Sequence, residues 1–465
     1  MNRFVLREHA ASILVATLSS TFGVALLLVT DDLVSYIHHS EAGGTAAVQA
    51  ALRIVAFVFI AIALYTASVV TSNTFATIIA GRTRTIALLR LIGATAKSQR
   101  RAVAREGLIV GVLGSILGLA IGVAMNALVI WIGTATAFIP PLAFSYISPI
   151  DLLPAAAVIL TTWLASWVGS RRVLVVSPIQ ATGAAQERSA SEVSGRRTRN
   201  SASVVLFAIG IALLLLGVVV GQKSPLGILI GVIGGMLSFT AVVLSAQVVM
   251  PPALRLVGRL FGTSATARLA AQNAVRYPER SARTTIGIVI GVTLVSMFSV
   301  AVQTAIVILD AVGRAHPSSE QQTGQILTVI AVIFSVISAF SALLAAIGLV
   351  NNLSLSVLQR IRELGLLRAL GFTARQIRAM IVAESAQLTI AAVVVGLLLG
   401  TFYGWAGAEA LLGFSPGAPG IIWPAFPPVL LIVIVLAAAL LTWLASVAPT
   451  RRATRVTPVD ALAVE

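Results

Sequence analysis

The stretch Arg360–Met380, RIRELGLLRALGFTARQIRAM, decides how the chain is organised. It is basic and amphipathic, and it lies between two long apolar runs. A related copy, RTRTIALLRLIGATAKSQRRA, lies 278 residues earlier at Arg82–Ala102. When Arg82–Gly122 is aligned with Arg360–Gly400, 13 of the 41 positions are identical. A repeat of this length indicates that the chain contains two similar structural units.

The composition is that of an integral membrane protein. Of the 465 residues, 58% are hydrophobic and only 10% are charged, whereas soluble proteins carry about 25% charged residues. The net charge of +16 is explained by basic loops on one side of a membrane, so nucleic acid is not an expected partner. Because the chain has no cysteine, disulfides, thiolate chemistry and Cys-based metal sites are excluded.

Ten apolar runs approach or exceed the roughly 20 residues that a membrane-spanning helix needs. They lie near 10–30, 52–80, 106–133, 150–170, 202–221, 226–249, 284–309, 325–353, 384–411 and 428–448. The first run is interpreted as an uncleaved helix, because Asp31-Asp32 follow it without a cleavage site. The sequence therefore predicts an all-α polytopic membrane protein with ten spans and, since its outer loops are short, no large extracellular domain.

The basic residues predict the orientation of the spans. Of the 32 Lys and Arg residues, 29 lie in the termini and in alternate loops, and only Arg53, Lys223 and Arg314 lie on the other side. By the positive-inside rule both termini are cytoplasmic, in a plasma membrane. Abundant Ala, Arg and Gly with two lysines suggest the GC-rich genome of a bacterium.

The repeat relates the first four spans to the last four. The shift is six spans, an even number, so both units face the same way and the repeats are parallel rather than inverted. Two basic lead-in segments, Met1–Ala10 and Ala267–Arg283, are predicted to be interfacial elbow helices. The predicted parts are a first four-helix unit with an N-terminal elbow (1–182), a cytoplasmic linker (183–200), two extra membrane helices (201–250), a cytoplasmic elbow segment (251–283) and a second four-helix unit (284–465).

Little in the chain can perform chemistry by itself. A P-loop needs a lysine after a Gly-rich turn, and neither Lys97 nor Lys223 follows a glycine. The pair His38-His39 is either an outer metal site or, as is more usual, two polar loop residues. Glu106 and Glu384 are expected at the cytoplasmic starts of their helices, where the dipole favours a carboxylate, or as ties between the basic segments and those helices. Glu409 is placed near the outer end of the ninth span.

Glycines recur with helical spacing in the third and ninth spans, which predicts close helix–helix contact. They are Gly111, Gly114, Gly118 and Gly122 in the third span, and Gly396, Gly400 and Gly404 in the ninth.

Each basic segment contains Leu-Leu-Arg-x-x-Gly-x-Thr, with apolar and basic residues at helical spacing. Such a helix either lies in the groove of a cytoplasmic partner or anchors on the inner leaflet. The duplication favours a partner.

The run Arg362–Gly371 has the form Arg-Glu-x-Gly-x-Leu-Arg-x-x-Gly, which resembles the signature of FtsX-like permeases, the permease subunits of MacB-like (type VII) ABC transporters. The ten-helix double unit resembles the permeases associated with peptide-antibiotic resistance and efflux. The resemblance implies that 82–105 and 360–384 are coupling segments that dock two copies of a cytoplasmic P-loop ATPase. By position the implied ATPase-coupling residues are Arg84, Leu89, Arg90, Gly93, Thr95 and Glu106 in the first unit, and Glu363, Gly365, Arg368, Gly371, Thr373 and Glu384 in the second.

The resemblance also implies that the chain is not itself an enzyme and holds no cofactor, ATP and Mg being bound by the partner ATPase. The expected function is expulsion or extraction of an amphipathic peptide or lipid by mechanotransmission. The alternative is an ATPase-driven switch that regulates a cell-wall hydrolase or a sensor kinase without transport. Two departures from the family pattern are visible: Thr85 and Ala87 replace Glu and Gly in the first unit, and the short loop Asp310–Gly324 leaves no room for a large outer domain.

Overall fold

The computed structural model describes residues 3–38, 95–135, 152–170, 197–261, 265–276, 278–315 and 371–436, a discontinuous set between 54 and 73, and the single residues 149 and 439. The helices are α1 (Arg3–His38), α2 (Ala96–Ala135), α3 (Leu152–Gly169), α4 (Arg197–Gly221), α5 (Gly227–Leu244), α6 (Ala246–Gly258), α7 (Ala265–Arg276), α8 (Pro278–Ala315) and α9 (Ala374–Leu412). Residues 428–436 and most described residues of 54–73 are also helical. Within this part of the chain there is no strand, in agreement with the all-α prediction.

Five of these helices are long and apolar enough to cross a membrane, namely α2, α4, α5, α8 and α9. Shorter apolar stretches, Ser12–Leu28 and Leu152–Val168, lie in α1 and α3. The chain is therefore a multi-pass membrane protein. The predicted span 325–353 lies outside the described residues, as do the loops 39–53 and 316–324.

In the first unit, α1 and α2 pack in parallel along three glycines. A Cβ added at Gly118 would lie 2.5 Å from Ser20 Cβ and 2.6 Å from Thr17 O, and one at Gly122 would lie 2.9 Å from Val24 Cγ1. Such separations are too short for any side chain, so the two backbones touch. We call this contact, which Gly114 also joins, the first glycine seam.

The second unit repeats this packing between α8 and α9. A Cβ added at Gly396 would lie 2.8 Å from Val292 Cβ, and one at Gly400 would lie 2.5 Å from Thr293 O. Gly404 approaches the backbone of Met297 in the same way. This second glycine seam confirms the close contact predicted from the glycine spacing. Gly111 also makes a close helix contact, but with α3: Ile159 Cα lies 3.2 Å from an added Cβ.

The two extra helices, α4 and α5, form an antiparallel hairpin that leans on the second unit. Gly217 of α4 meets the backbone of Gly231 of α5, with 2.6 Å between an added Cβ and Gly231 N. At the turn, Gly221 lies against the backbone of Ala410 in α9. The hairpin thus contacts α9 near the end opposite Thr373.

We call the side on which α2 and α9 begin the coupling side, and the opposite side the distal side. On the coupling side α6 and α7 pack against the first turns of α9. The Gln387 side chain donates to Leu254 O of α6 at 2.8 Å, and Ser281 of α8 donates to Ala274 O of α7 at 2.6 Å. These buried bonds fasten the short helices to the second unit.

Several boundaries differ from the sequence predictions. Helix α4 begins at Arg197, inside the predicted linker 183–200, and α8 runs past the predicted end at 309 to Ala315. From Arg3 onward, the residues of the first predicted elbow and those of the first span form one continuous helix, Arg3–His38. The predicted span 226–249 ends at Leu244, and α6 starts after Ser245. The second predicted elbow, Ala267–Arg283, is divided between two helices: α7 ends at Arg276, and α8 begins at Pro278, a residue type well suited to the first turn of a helix.

Candidate coupling segments and intramembrane groove

Of the twelve residues proposed for ATPase coupling, five lie in the described part of the chain. They are Thr95, Glu106, Gly371, Thr373 and Glu384. The other seven, Arg84, Leu89, Arg90, Gly93, Glu363, Gly365 and Arg368, lie outside the described residues. The docking role of all twelve stays a prediction.

Gly371 and Thr373 set the start of α9. Gly371 has a φ of 95°, a left-handed conformation that glycine adopts without steric cost. Thr373 is the N-cap in extended conformation: its Oγ1 accepts from the Gln376 N–H at 3.3 Å, and Gln376 Oε1 accepts from the Thr373 N–H at 2.9 Å. This capping box satisfies two backbone donors. The Gly-x-Thr pattern therefore has a local structural cause beside any contact with a partner.

The first unit begins α2 with the same residue type. Thr95 Oγ1 accepts from the Ser98 N–H at 3.2 Å, and Thr95 O accepts from the Gln99 N–H at 3.1 Å. Thr95 and Thr373 are equivalent in the repeat. Both units thus use a threonine to start the long helix that enters the membrane.

The apolar face at the start of α9 is already occupied by α7. Ile377, Met380 and Ile381 are buried in a cluster with Ala270 of α7. The opposite, basic face of α9 is exposed to solvent at Arg375 and Arg378. A partner that meets this part of the segment would therefore meet its basic face.

The corresponding part of α2 is held by an aromatic contact instead. The Arg100 guanidinium carbon lies 3.7 Å from the centre of the Trp167 ring of α3, and Trp167 stacks on Trp163 with ring centres 6.2 Å apart. A cation–π contact of this kind contributes about 0.5–2 kcal/mol. In the second unit the residue aligned with Trp167 is Val447, so the aligned Arg378 has no matching aromatic residue at that position.

Glu106 and Glu384 are not at the helix starts where the sequence placed them. Because Thr95 and Thr373 cap their helices, α2 and α9 begin ten residues earlier, and neither helix has an acidic residue in its first turn. The helix dipole acts within that turn, so it does not explain the two carboxylates. Glu384 is buried, with 8% of its surface exposed.

Within the membrane, an apolar groove of about 300 Å³ lies between the first unit, the extra hairpin and the second unit. Its α8 wall runs from Ile290 to Leu309, a length of about 28 Å at 1.5 Å per residue, close to the roughly 30 Å hydrocarbon core. The distal quarter of α9, from Tyr403 to Leu412, supplies another wall.

Two tyrosines lie in this groove and bond to α5. Tyr65 Oη donates to Met236 O at 3.0 Å and lies 2.8 Å from Thr240 Oγ1. The Ser238 hydroxyl donates to Tyr403 Oη at 3.0 Å. Since both phenol groups are satisfied by α5, the described walls present an almost wholly apolar surface to an occupant.

The distal end of α9 carries a buried carboxylate. Glu409 is fully buried; its Oε2 accepts from Gln222 Nε2 at 3.0 Å, and its Oε1 accepts from the Ile422 N–H at 2.8 Å. Glu409 thus joins the hairpin turn, α9 and the segment after α9.

Comparison with known proteins places the chain in a family. The FtsX-like permease C-terminal domain matches residues 57–178 and 335–458, one match in each unit. The chain belongs to the FtsX-like permease family. Each match includes a whole coupling segment, and both leave out the extra hairpin.

Two curated relatives are described as ABC transporter permeases. The chain is 34% identical over 99 residues to the Uncharacterized ABC transporter permease YknZ of Bacillus subtilis (strain 168), covering 21% of the chain and 24% of that protein. It is 37% identical over 75 residues to the Uncharacterized ABC transporter permease MJ1507 of Methanocaldococcus jannaschii, covering 16% of the chain and 19% of that protein. The matched part thus spans less than a quarter of each relative. The resemblance to FtsX-like ABC permeases seen in the sequence is confirmed.

Sequence reasoning missed several contacts of this FtsX-like permease. Arg100 was counted only as a basic loop residue, and Gln222, Gln387 and Trp405 drew no attention. Their partners are a ring, a carboxylate or a backbone carbonyl elsewhere in the chain, such as Trp167 for Arg100, Glu409 for Gln222 and Leu254 O for Gln387. Nothing local in the sequence signals such a pairing.

Proposed function

We propose that this chain is the membrane subunit of an ABC transporter that expels or extracts an amphipathic molecule, such as a peptide or a lipid. Two copies of a cytoplasmic P-loop ATPase bind ATP and Mg, close, and push on the segments 82–105 and 360–384. The coupling side is then cytoplasmic, as the basic residues predict. The chain contributes no ATPase site of its own.

The continuity of α9 carries this proposal. The helix runs unbroken for 39 residues from the Thr373 cap to Leu412, a length of about 58 Å. Its first turns belong to the second coupling segment, and its last turns line the groove. A displacement imposed on the coupling side therefore moves a groove wall without any intervening joint.

The apolar groove supports an amphipathic substrate. Its walls offer apolar contact over most of the bilayer thickness, which suits a hydrocarbon chain or apolar side chains. We expect the polar part of the substrate to stay outside the groove, because burying an unpaired polar group there is costly.

Purification with this chain as bait, from a mild detergent, tests the proposal. We expect a P-loop ATPase to co-purify at two copies per permease chain. Isolation of the chain without an ATPase under gentle conditions would contradict the proposal and favour membrane anchoring by the basic segments. If the ATPase complex forms but works only with a second membrane protein, the regulatory switch is the better description.

A further inference from the structure

The segment 413–427 joins α9 to the helical residues 428–436 on the distal side. Its sequence, GFSPGAPGIIWPAFP, contains no charged residue. Both of its ends lead directly into apolar helices, so the segment lies where the hydrocarbon core meets water. We call it the distal loop.

Hydrogen bonds fix the backbone of the distal loop on α8 and α9. Ile422 is held at both of its polar atoms: its N–H donates to Glu409 Oε1 at 2.8 Å, and its carbonyl accepts from Trp405 Nε1 at 2.7 Å. Further along, the Ala425 N–H donates to Thr304 Oγ1 at 3.2 Å. The loop is thus attached to two membrane helices through three side chains.

The residues on either side of Ile422 project outward. Ile421 is 58% exposed and Trp423 is 91% exposed. A few residues later the exposed apolar surface continues in the helical residues, where Val429 and Ile432 are 64% and 60% exposed. Since a membrane-spanning helix shows such residues to lipid, the exposed surface of the loop is continuous with the lipid-facing surface.

We propose that Ile421 and Trp423 insert into the headgroup–acyl boundary of the distal leaflet, so that the distal loop is a fixed lipid-binding element of the second unit. The absence of charge favours lipid over a protein partner recognised by ion pairs. Tryptophan suits this boundary, because its ring is largely apolar and its N–H can remain hydrated. Because Glu409 and Trp405 of α9 hold Ile422 by hydrogen bonds, the neighbouring Ile421 and Trp423 cannot leave the leaflet unless α9 moves with them.

Site-directed spin labelling tests this proposal, since the chain has no cysteine and single-cysteine variants are labelled at one site. The variants are Trp423→Cys and Ile421→Cys, in the full chain reconstituted in phosphatidylcholine vesicles. Matched controls are Ile432→Cys, exposed on the apolar helical surface, and Lys97→Cys, exposed on the coupling side. The measurement is the accessibility of each label to oxygen and to a water-soluble nickel chelate.

We expect the labels at 421 and 423 to be relaxed several-fold more by oxygen than by the chelate, as at 432 and unlike at 97. Two results would overturn the proposal: chelate accessibility equal to that at 97, which means water, or low accessibility to both reagents, which means cover by protein. The experiment needs neither ATPase nor substrate, so its outcome is independent of the proposed transport function.

Discussion

Thr373 and Gln376 exchange two hydrogen bonds at the start of α9, two residues after the left-handed Gly371. These bonds fix which residue is the first in the helix and therefore the angular position of every side chain that follows. Gly371 and Thr373 were assigned to docking from the sequence. The structure shows that both residues also have a role within the chain itself: Gly371 adopts the left-handed turn before α9, and Thr373 caps the helix.

Replacement of Thr373 by Val should shorten or fray the start of α9, because the side-chain acceptor is lost while size and branching are kept. The expected cost is about 0.5–2 kcal/mol. Replacement by Ser keeps the hydroxyl and should restore the helix start. Hydrogen exchange of the backbone amides of residues 374–378 measures the effect directly.

If Thr373→Ser exchanges as fast as Thr373→Val, the capping bond does not determine this helix start. If amide protection is restored by Ser while ATPase binding is not, the threonine methyl group contacts the partner as well.

At the scale of the helices, the two glycine seams join parallel helices at equivalent places in the two units. The sequence predicted this close helix contact from the spacing of the glycines. Spacings of four residues place glycines on one helix face, and repetition in both units marks that face as structural. The seams in turn make α1–α2 and α8–α9 parallel pairs.

Replacement of Gly400 by Ala should destabilise the protein, because the new methyl group overlaps Thr293 O and the Ser296 side chain. Overpacking of this kind costs about 1–3 kcal/mol. Gly407→Ala is the matched control on the same helix, since nothing lies within 4 Å of an added Cβ there. Thermal unfolding in detergent should give a lower Tm for Gly400→Ala and an unchanged or higher Tm for Gly407→Ala.

Equal Tm values for the two variants would mean that α8 and α9 separate easily at the second glycine seam. The close approach would then contribute little to stability.

Helix boundaries were predicted less well than helix packing. The hydrophobic pattern marks only the part of a helix that lies in lipid. The sequence therefore predicted that α2 begins at Glu106 and α9 at Glu384, although each helix begins ten residues earlier. The polar first turns are stabilised by a threonine cap and by neighbouring helices, which hydropathy does not register. For the same reason the cover that α7 provides for Ile377 and Met380 could not be anticipated, since it depends on residues about 110 positions apart.

At the scale of the whole molecule, the extra hairpin makes the two halves unequal. Helices α4 and α5 contact α9 at Ala410 and the 54–73 segment at Val58, and they complete one wall of the groove. A protein built only from the two repeated units would lack that wall. The hairpin thus converts the space between the units into a bounded site.

Filling the groove should abolish binding of an acyl chain without unfolding the protein. Gly407 lines the groove, and an added side chain there meets open space, so Gly407→Leu places an isobutyl group in the groove. The probe is a phosphatidylcholine with a photoreactive diazirine in its acyl chain, and mass spectrometry locates the adducts. We expect adducts on groove residues in Gly407→Ala and a several-fold loss of those adducts in Gly407→Leu.

Lipid-facing residues such as Ile432 should be modified equally in both variants, which controls for vesicle composition. Undiminished groove adducts in Gly407→Leu would show that acyl chains do not occupy this groove.

The bond between Gln222 and Glu409 also has a consequence for synthesis. The two residues are 187 positions apart, so at 5–20 residues per second the ribosome needs roughly 10–40 s to travel from one to the other. During that interval the α4–α5 turn has already been synthesised, whereas Glu409 and Ala410 have not. Until the ninth span has been made, Gly221 therefore lacks its contact with Ala410, and the Gln222 side-chain amide lacks its bond to Glu409. The packing of the extra hairpin is thus completed only after the C-terminal half of this permease has been made.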